Sequence, residues 1–113
     1  MTKNKTVWFV YIIESEKGNL YTGITTDLER RFQEHLTSKA KGAKFFRTQK
    51  AIQIVYREEQ KNRSLASKRE AFIKKMTRKN KLKLISSITW VLHLGFKQVF
   101  VSLFILKIFE GTL

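Results

Sequence analysis

Apolar positions along this chain fall first into short extended runs and then into helical stripes. Val7-Trp8-Phe9-Val10-Tyr11-Ile12-Ile13 is apolar at both alternating sets of positions and rich in β-branched and aromatic residues, the pattern of a central strand covered on both faces. Glu16-Lys17-Gly18-Asn19 supplies turn residues, and Leu20-Tyr21-Thr22-Gly23-Ile24 resumes the extended pattern, so a β-hairpin is predicted. Thr26-Asp27-Leu28-Glu29 reads as a capping box that starts a helix at Thr26, with the threonine hydroxyl and the glutamate carboxylate each serving the other residue's amide. Along that helix Leu28, Phe32 and Leu36 form the expected apolar stripe, and Arg31 and His35, four apart, share its half-wet edge.

Lys39 to Lys44 follows as a basic, small-residue loop, and Ala51 to Tyr56 alternates as a third strand. A second helix is predicted from about Ser64, with Leu65, Phe72, Ile73 and Met76 as its apolar stripe. Arg69 falls inside that stripe and Glu70 at its margin beside Ala66 and Ile73. Two charges next to a buried face call for an explanation.

The composition changes near Ser86-Ser87, which divides the chain into an expected domain at 1–87 and an apolar C-terminal tail at 88–113, expected to be helical. Ile88 to Phe109 holds Trp90, Phe96, Phe100, Phe104 and Phe109 among many aliphatics. A membrane span needs ~20 mostly apolar residues; here His93, Lys97 and Gln98 interrupt the run. Three readings of the tail stand open: a segment that packs on the domain or on a second copy, a membrane-associated helix over 88–109, or a non-native ending from an altered reading frame. Nothing in it looks catalytic.

The bulk properties narrow the function. With 113 residues, 42% hydrophobic and 12% aromatic, the chain has material for one compact core. Its formal net charge of +14 and pI near 10.3 call for a polyanionic partner, nucleic acid or an anionic membrane surface. Lys and Arg crowd residues 30–83. The absence of cysteine excludes a disulfide framework, a thiolate metal site and a cysteine nucleophile, and fits a cytoplasmic protein. Met1 to Lys5 leads straight into the first strand with no cleavage-site pattern, so no secretory signal is expected.

If the polyanion is a substrate, hydrolysis of a phosphodiester needs an activated nucleophile, a cation against the developing charge and a positioned leaving group. Tyr11 and Tyr21 lie on opposite arms of the hairpin, within a rung or two of each other; strand tyrosines of this kind equally serve as half-buried packing. Arg31 can fork onto a phosphate and His35, one turn on, can carry a proton, although a solvated helix face explains both. Glu70 is the only carboxylate of the second helix. One carboxylate plus substrate oxygens is a usual way to hold Mg²⁺, and an ordinary ion pair with a neighbouring Lys or Arg is the other reading.

In order, these residues resemble the GIY-YIG endonuclease superfamily, and in particular its small single-domain members related to the Slx-type structure-specific nucleases. The resemblance is carried by Val10-Tyr11-Ile12, by Tyr21-Thr22-Gly23 and by the run Ile24-Thr25-Thr26-Asp27-Leu28-Glu29-Arg30-Arg31-Phe32-Gln33-Glu34-His35. Further matches are Lys41-Gly42-Ala43-Lys44 with Arg47, Val55-Tyr56-Arg57-Glu58, and Lys68-Arg69-Glu70 with Ile73-Lys74. It covers residues 6–85. It implies an α+β fold, a three-stranded antiparallel sheet flanked by helices. In the implied site Tyr11 acts as or positions the general base, supported by Tyr21, while Arg31 stabilises the phosphate, His35 assists at the scissile group and Glu70 binds one Mg²⁺ or Mn²⁺. Arg30, Lys41, Lys44, Arg47, Lys68 and Lys74 are the expected nucleic-acid contacts. The implied activity is metal-dependent endonucleolytic cleavage of DNA, at branched or flapped structures in repair or recombination.

Some positions depart from the pattern: Val10 stands where the family name has Gly, Leu36 follows His35 in place of a frequent Asn, Phe46 occupies a usually polar position, and Ala51 replaces a common Pro. These bear on substrate contacts more than on catalysis. Two other functions compete with the nuclease: a non-catalytic nucleic-acid binder that uses only the Lys/Arg face, and a membrane-surface protein that works through its tail.

Overall fold

The computed structural model describes residues 6–37 and 44–87. The tail at 88–113 and Lys41 lie outside the described residues. Three strands form one antiparallel sheet: β1 (Trp8–Ser15), β2 (Leu20–Thr25) and β3 (Ala51–Gln60), in the order β2-β1-β3. Three helices accompany them, α1 (Leu28–Thr37), α2 (Arg63–Lys74) and α3 (Arg78–Ser87), with a 3-10 turn at Lys44–Arg47. The α+β architecture expected from the sequence is therefore present. The chain divides into two compact units between Lys74 and Lys75, and α3 belongs to the second.

The hydrophobic run of β1 is central as predicted, and Val10, Tyr11, Ile12 and Ile13 are all buried. Its alternation assigns the two faces. Tyr11 pairs with Gly23 and Ile13 with Tyr21, so these four side-chain positions share one face. Val10 and Ile12 point the other way, beside Glu58 and Tyr56 of β3. β3 runs four residues beyond its expected end, and its register slips against β1 between Ile12 and Ile13 and again between Glu14 and Ser15. The hairpin turns at Gly18, whose φ of 81° suits glycine.

On the first face Tyr11, Ile13, Phe46 and Ala51 form a core cluster, packed by Tyr21, Leu28, Phe32, Phe45 and Ile54. The 3-10 turn is held there from its far end. Gln49 Oε1 accepts hydrogen bonds from Ser15 Oγ and Asn19 Nδ2, and the Lys50 amide donates to Glu16 Oε1. The segment predicted as a plain basic loop thus ends in a structured element tied to the hairpin. Phe46, expected at a substrate-contact position, is instead buried in this core.

Both helix faces are rotated from their predicted positions. α1 begins at Leu28 with Asp27 as its cap: Asp27 Oδ1 accepts from the Arg30 amide at 3.0 Å. The capping box at Thr26 does not form, because β2 continues through Thr25 and the Thr25 hydroxyl takes the Asp27 amide at 3.0 Å. The buried seam of α1 runs through Leu28, Arg31, Phe32 and His35; Leu36 is 43% exposed. In α2, capped by Asn62 Oδ1 on the Leu65 amide, the buried positions are Ala66 and Ile73 with Arg69 and Glu70 half-buried between them. Leu65 and Phe72, expected inside, are 40% and 59% exposed.

Arg69 explains its own place in that seam. Its Nε donates to both oxygens of Glu58 at 3.0 and 3.1 Å, and Glu58 also accepts from Tyr56 Oη and Gln60 Nε2. The ion pair joins α2 to β3, on the face opposite Tyr11. A charge in a partly buried position is stabilised here because every lone-pair direction of the carboxylate is used.

Gly23 is the tightest constraint on the Tyr11 face. A Cβ at this position would stand 2.5 Å from the Tyr11 hydroxyl oxygen and 2.7 Å from its Cζ, so the tyrosine ring crosses the edge strand where there is no side chain. Replacing Gly23 with Ala is expected to lower unfolding stability by about 1–3 kcal/mol, the usual cost of overpacking a filled core. In a Tyr11→Leu background, the loss on Gly23→Ala is expected to shrink. Equal losses in both backgrounds, read by denaturant unfolding, would disprove the steric cause.

Candidate active site around Tyr11

The first face of the sheet gathers four of the expected site residues. Tyr11 and Tyr21 come from neighbouring strands, two residues apart in register, with ring centroids 6.3 Å apart. Arg31 and His35 come from the seam of α1. His35 is 1% exposed, and its Nε2 lies 2.9 Å from the Tyr11 hydroxyl. Aromatic rings enclose the imidazole, with Tyr21 at 5.1 Å and Phe46 at 4.6 Å between centroids. His35 therefore occupies the core of the helix interface, not the half-wet edge expected from the stripe.

Arg31 is also within hydrogen-bonding reach of the Tyr11 hydroxyl, and a guanidinium can only donate. The phenol oxygen has two lone pairs and one O–H, so with Arg31 donating to it the 2.9 Å hydrogen bond to His35 Nε2 takes its direction from the imidazole tautomer. His35 Nδ1 is buried and has no hydrogen-bond partner among the described residues. Burial, and then the Arg31 charge, push the His35 pKa down to about 4, so the ring is neutral at pH 7.

Tyr11 itself is held firmly protonated. Burial raises its pKa well above the usual phenol range, with Tyr21 and Glu70 adding to the rise and Arg31 opposing it. Glu70, on α2, thus acts on the same hydroxyl through space. Its carboxylate is half-buried and paired with Lys74 Nζ at 3.2 Å. Among the described residues no group of three or more His, Cys, Asp or Glu could hold a metal. A lone carboxylate that can be completed by water and phosphate oxygens fits Mg²⁺, which keeps several waters and takes one or two protein carboxylates.

Glu34 is a residue the sequence reading passed over. Its Oε1 accepts from Arg31 Nη1 and its Oε2 from Arg30 Nη1, both at 3.0 Å, so one carboxylate fixes both guanidinium groups. The signal was available in the spacing, since positions three and four apart on a helix face one another. Phe45, also unassigned, packs on Tyr21 at 5.4 Å.

The expected nucleic-acid contacts fare differently. Lys44, Arg47 and Lys68 are exposed, with Lys44 and Arg47 flanking the phenylalanines of the 3-10 turn. Arg30 is exposed but engaged by Asp27 and Glu34, and Lys74 by Glu70. These side chains are not among the charged and phenolic groups that act on the Tyr11 hydroxyl, which are Tyr21, Arg31 and Glu70.

Because the unfolded chain binds the His35 proton from about pH 6.5 and the folded chain from about pH 4, stability is complete above 6.5 and falls as the pH drops toward 4. The full loss from this group is about 3 kcal/mol. Imidazole NMR is expected to show His35, distinguished from His93 by a His93→Gln variant, still neutral at pH 5.5. Titration near 6.5 would contradict the buried, Arg31-facing geometry.

Comparison with known proteins identifies the family of the chain. The pattern of the GIY-YIG catalytic domain matches residues 7–83. UPF0213 protein DP2720 of Desulfotalea psychrophila is 45% identical over 84 residues, covering 74% of this chain and 76% of that one. UPF0213 protein YhbQ of Escherichia coli (strain K12) is 41% identical over 81 residues, covering 72% and 79%. The solution NMR structure of UPF0213 protein BH0048 from Bacillus halodurans is similar at 34% identity and a TM-score of 0.46, over 71% of this chain and 83% of that one. With its catalytic-domain pattern matched from the first strand through most of α3, and the UPF0213 proteins among its relatives, the chain belongs to the GIY-YIG family.

Proposed function

We propose that the protein is an endonuclease that hydrolyses DNA phosphodiester bonds with the help of a divalent cation, Mg²⁺ or Mn²⁺. The observation that carries this reading is the convergence on one phenol oxygen of a neutral histidine, an arginine and, through space, a carboxylate. A protein that only binds nucleic acid has no need of such a buried constellation.

In the proposed reaction a water oxygen bonds to phosphorus while the ester P–O bond breaks. The water proton passes to the Tyr11 oxygen as the Tyr11 proton moves to His35 Nε2, and the leaving oxygen is protonated by solvent. Free, the imidazole resists that proton because it is buried beside the Arg31 charge. A phosphate bound at Arg31 offsets the guanidinium charge and so removes part of the resistance, which couples proton uptake to substrate. Arg31 stabilises charge developing on the phosphate, and Glu34 holds it in place for that task. Glu70 would hold the divalent cation, which supplies further charge neutralisation when bound.

The lack of a zinc finger or helix-turn-helix pattern in the sequence favours recognition of branched or flapped DNA over a base sequence, with a role in repair or recombination. The membrane-surface alternative rests on residues 88–109, outside the described residues, and no described helix is long and apolar enough to cross a membrane.

Purified, folded protein is expected to cut at least one member of a panel of branched, single-stranded and duplex DNAs with Mg²⁺ or Mn²⁺. Arg31→Ala should slow single-turnover cleavage by roughly 100-fold or more, the usual consequence of deleting a donor aimed at developing charge, and Glu70→Ala should abolish metal-dependent cutting. Both should still bind DNA. Identical behaviour of wild-type and Glu70→Ala protein in every assay would leave a non-catalytic binder.

A further inference from the structure

We infer that α3 is a duplex-holding element, a short helix dense in cations that grips nucleic-acid phosphates independently of the catalytic face. The inference rests on the nuclease reading for the identity of the polyanion, and on charge and exposure for the site. Arg78, Lys79, Lys81 and Lys83 lie on this ten-residue helix, directly after Lys74 and Lys75. No Asp or Glu stands between Glu70 and Glu110.

What sets these cations apart is their density on one short helix with no acidic residue; like Lys44, Arg47 and Lys68, they also lack an ion pair among the described residues. Arg30 and Arg31 are engaged by Asp27 and Glu34, Arg69 by Glu58 and Lys74 by Glu70. No ion pair among the described residues involves Arg78, Lys79, Lys81 or Lys83. Arg78, Lys79 and Lys83 are exposed, Lys81 partly so, and Ile85 is the buried residue of the helix. Lys79 and Lys83 lie one turn apart, where like charges repel.

The helix is also charged against its own dipole. Arg78 and Lys79 sit in the first turn, which has no acidic residue, at the end where the backbone already presents positive partial charge. Thr77 caps it, its Oγ1 accepting from the Asn80 amide at 3.2 Å, but a hydroxyl brings no charge. A helix built this way is less stable alone than with a polyanion laid along it. Phosphates of a duplex meet that need and set no requirement on base sequence.

The test measures binding of the full chain to a fluorescent 30-base-pair DNA duplex in EDTA, so that no cleavage intervenes, across 50–200 mM salt. The variant carries Arg78→Gln, Lys79→Gln, Lys81→Gln and Lys83→Gln; glutamine keeps a helix propensity close to that of lysine, and circular dichroism checks the fold. A control carries Lys3→Gln, Lys5→Gln, Lys17→Gln and Lys61→Gln, with the same loss of net charge. The slope of log affinity against log salt should become shallower by about 3–4 in the α3 variant, at roughly 0.9 per phosphate contact. The control should stay near wild type, and a variant with Arg78→Lys, Lys79→Arg, Lys81→Arg and Lys83→Arg should keep the wild-type slope.

Equal slopes for the α3 variant and the control would overturn the inference and leave only a diffuse charge effect. Loss of binding to phosphatidylserine vesicles with an unchanged DNA slope would overturn it in favour of a lipid surface. If wild-type protein cuts no DNA while the slope change appears, the α3 inference stands and the nuclease reading fails.

Discussion

One hydrogen bond organises the catalytic face: the 2.9 Å contact between the Tyr11 hydroxyl and His35 Nε2, made across the bare backbone of Gly23. To reach it, the tyrosine must cross the edge strand, which requires glycine at its paired position. To receive it, α1 must turn His35 into the core, which places Arg31, four residues earlier, against the same hydroxyl. Phe46 then closes on the imidazole, held by a segment that Gln49 and Glu16 tie to the hairpin. Low dielectric is the common result. It keeps the histidine neutral, keeps the phenol protonated, and makes the charges of Arg31 and Glu70 count at a distance.

The same contact explains what could and could not be read from the sequence. The strands were legible because β1 is apolar at both parities and the turn residues at 16–19 bound it. The helices were legible as helices, but their inner faces were placed one position off. In α1 the seam is Leu28, Arg31, Phe32 and His35, and in α2 it is Ala66, Arg69, Glu70 and Ile73. Each seam has proper helical spacing but carries polar residues at its centre, so hydrophobic periodicity follows the neighbouring apolar residues Leu36, Leu65 and Phe72 instead. The candidate chemistry is what displaced the pattern. α3 was missed for a related reason, since its apolar residues are few and its cations mask the period; Thr77 with Asn80 was the remaining trace of its start.

The residue types of the site were found through the ordered resemblance, whereas their physical state was not. Nothing in the spacing of Tyr11 and His35 says that the pair is buried. The net charge of +14 likewise resolves into two populations. Arg30, Arg31, Arg69 and Lys74 are locked to carboxylates, where they are oriented; other cations, those of α3 among them, have no such partner among the described residues. The first arrangement suits stabilising charge at a fixed point, the second suits holding a polymer of phosphates.

The central claim is that the Tyr11 oxygen is where the groups of the site act. Single-turnover cleavage by Tyr11→Phe protein, in the presence of Mg²⁺, addresses it most directly, because phenylalanine keeps the ring over Gly23 and removes only the hydroxyl. The expected result is cleavage lost by roughly 100-fold or more, in keeping with the usual weight of a positioned acid-base group, with DNA affinity unchanged. Cleavage at the wild-type rate by the folded variant would contradict it.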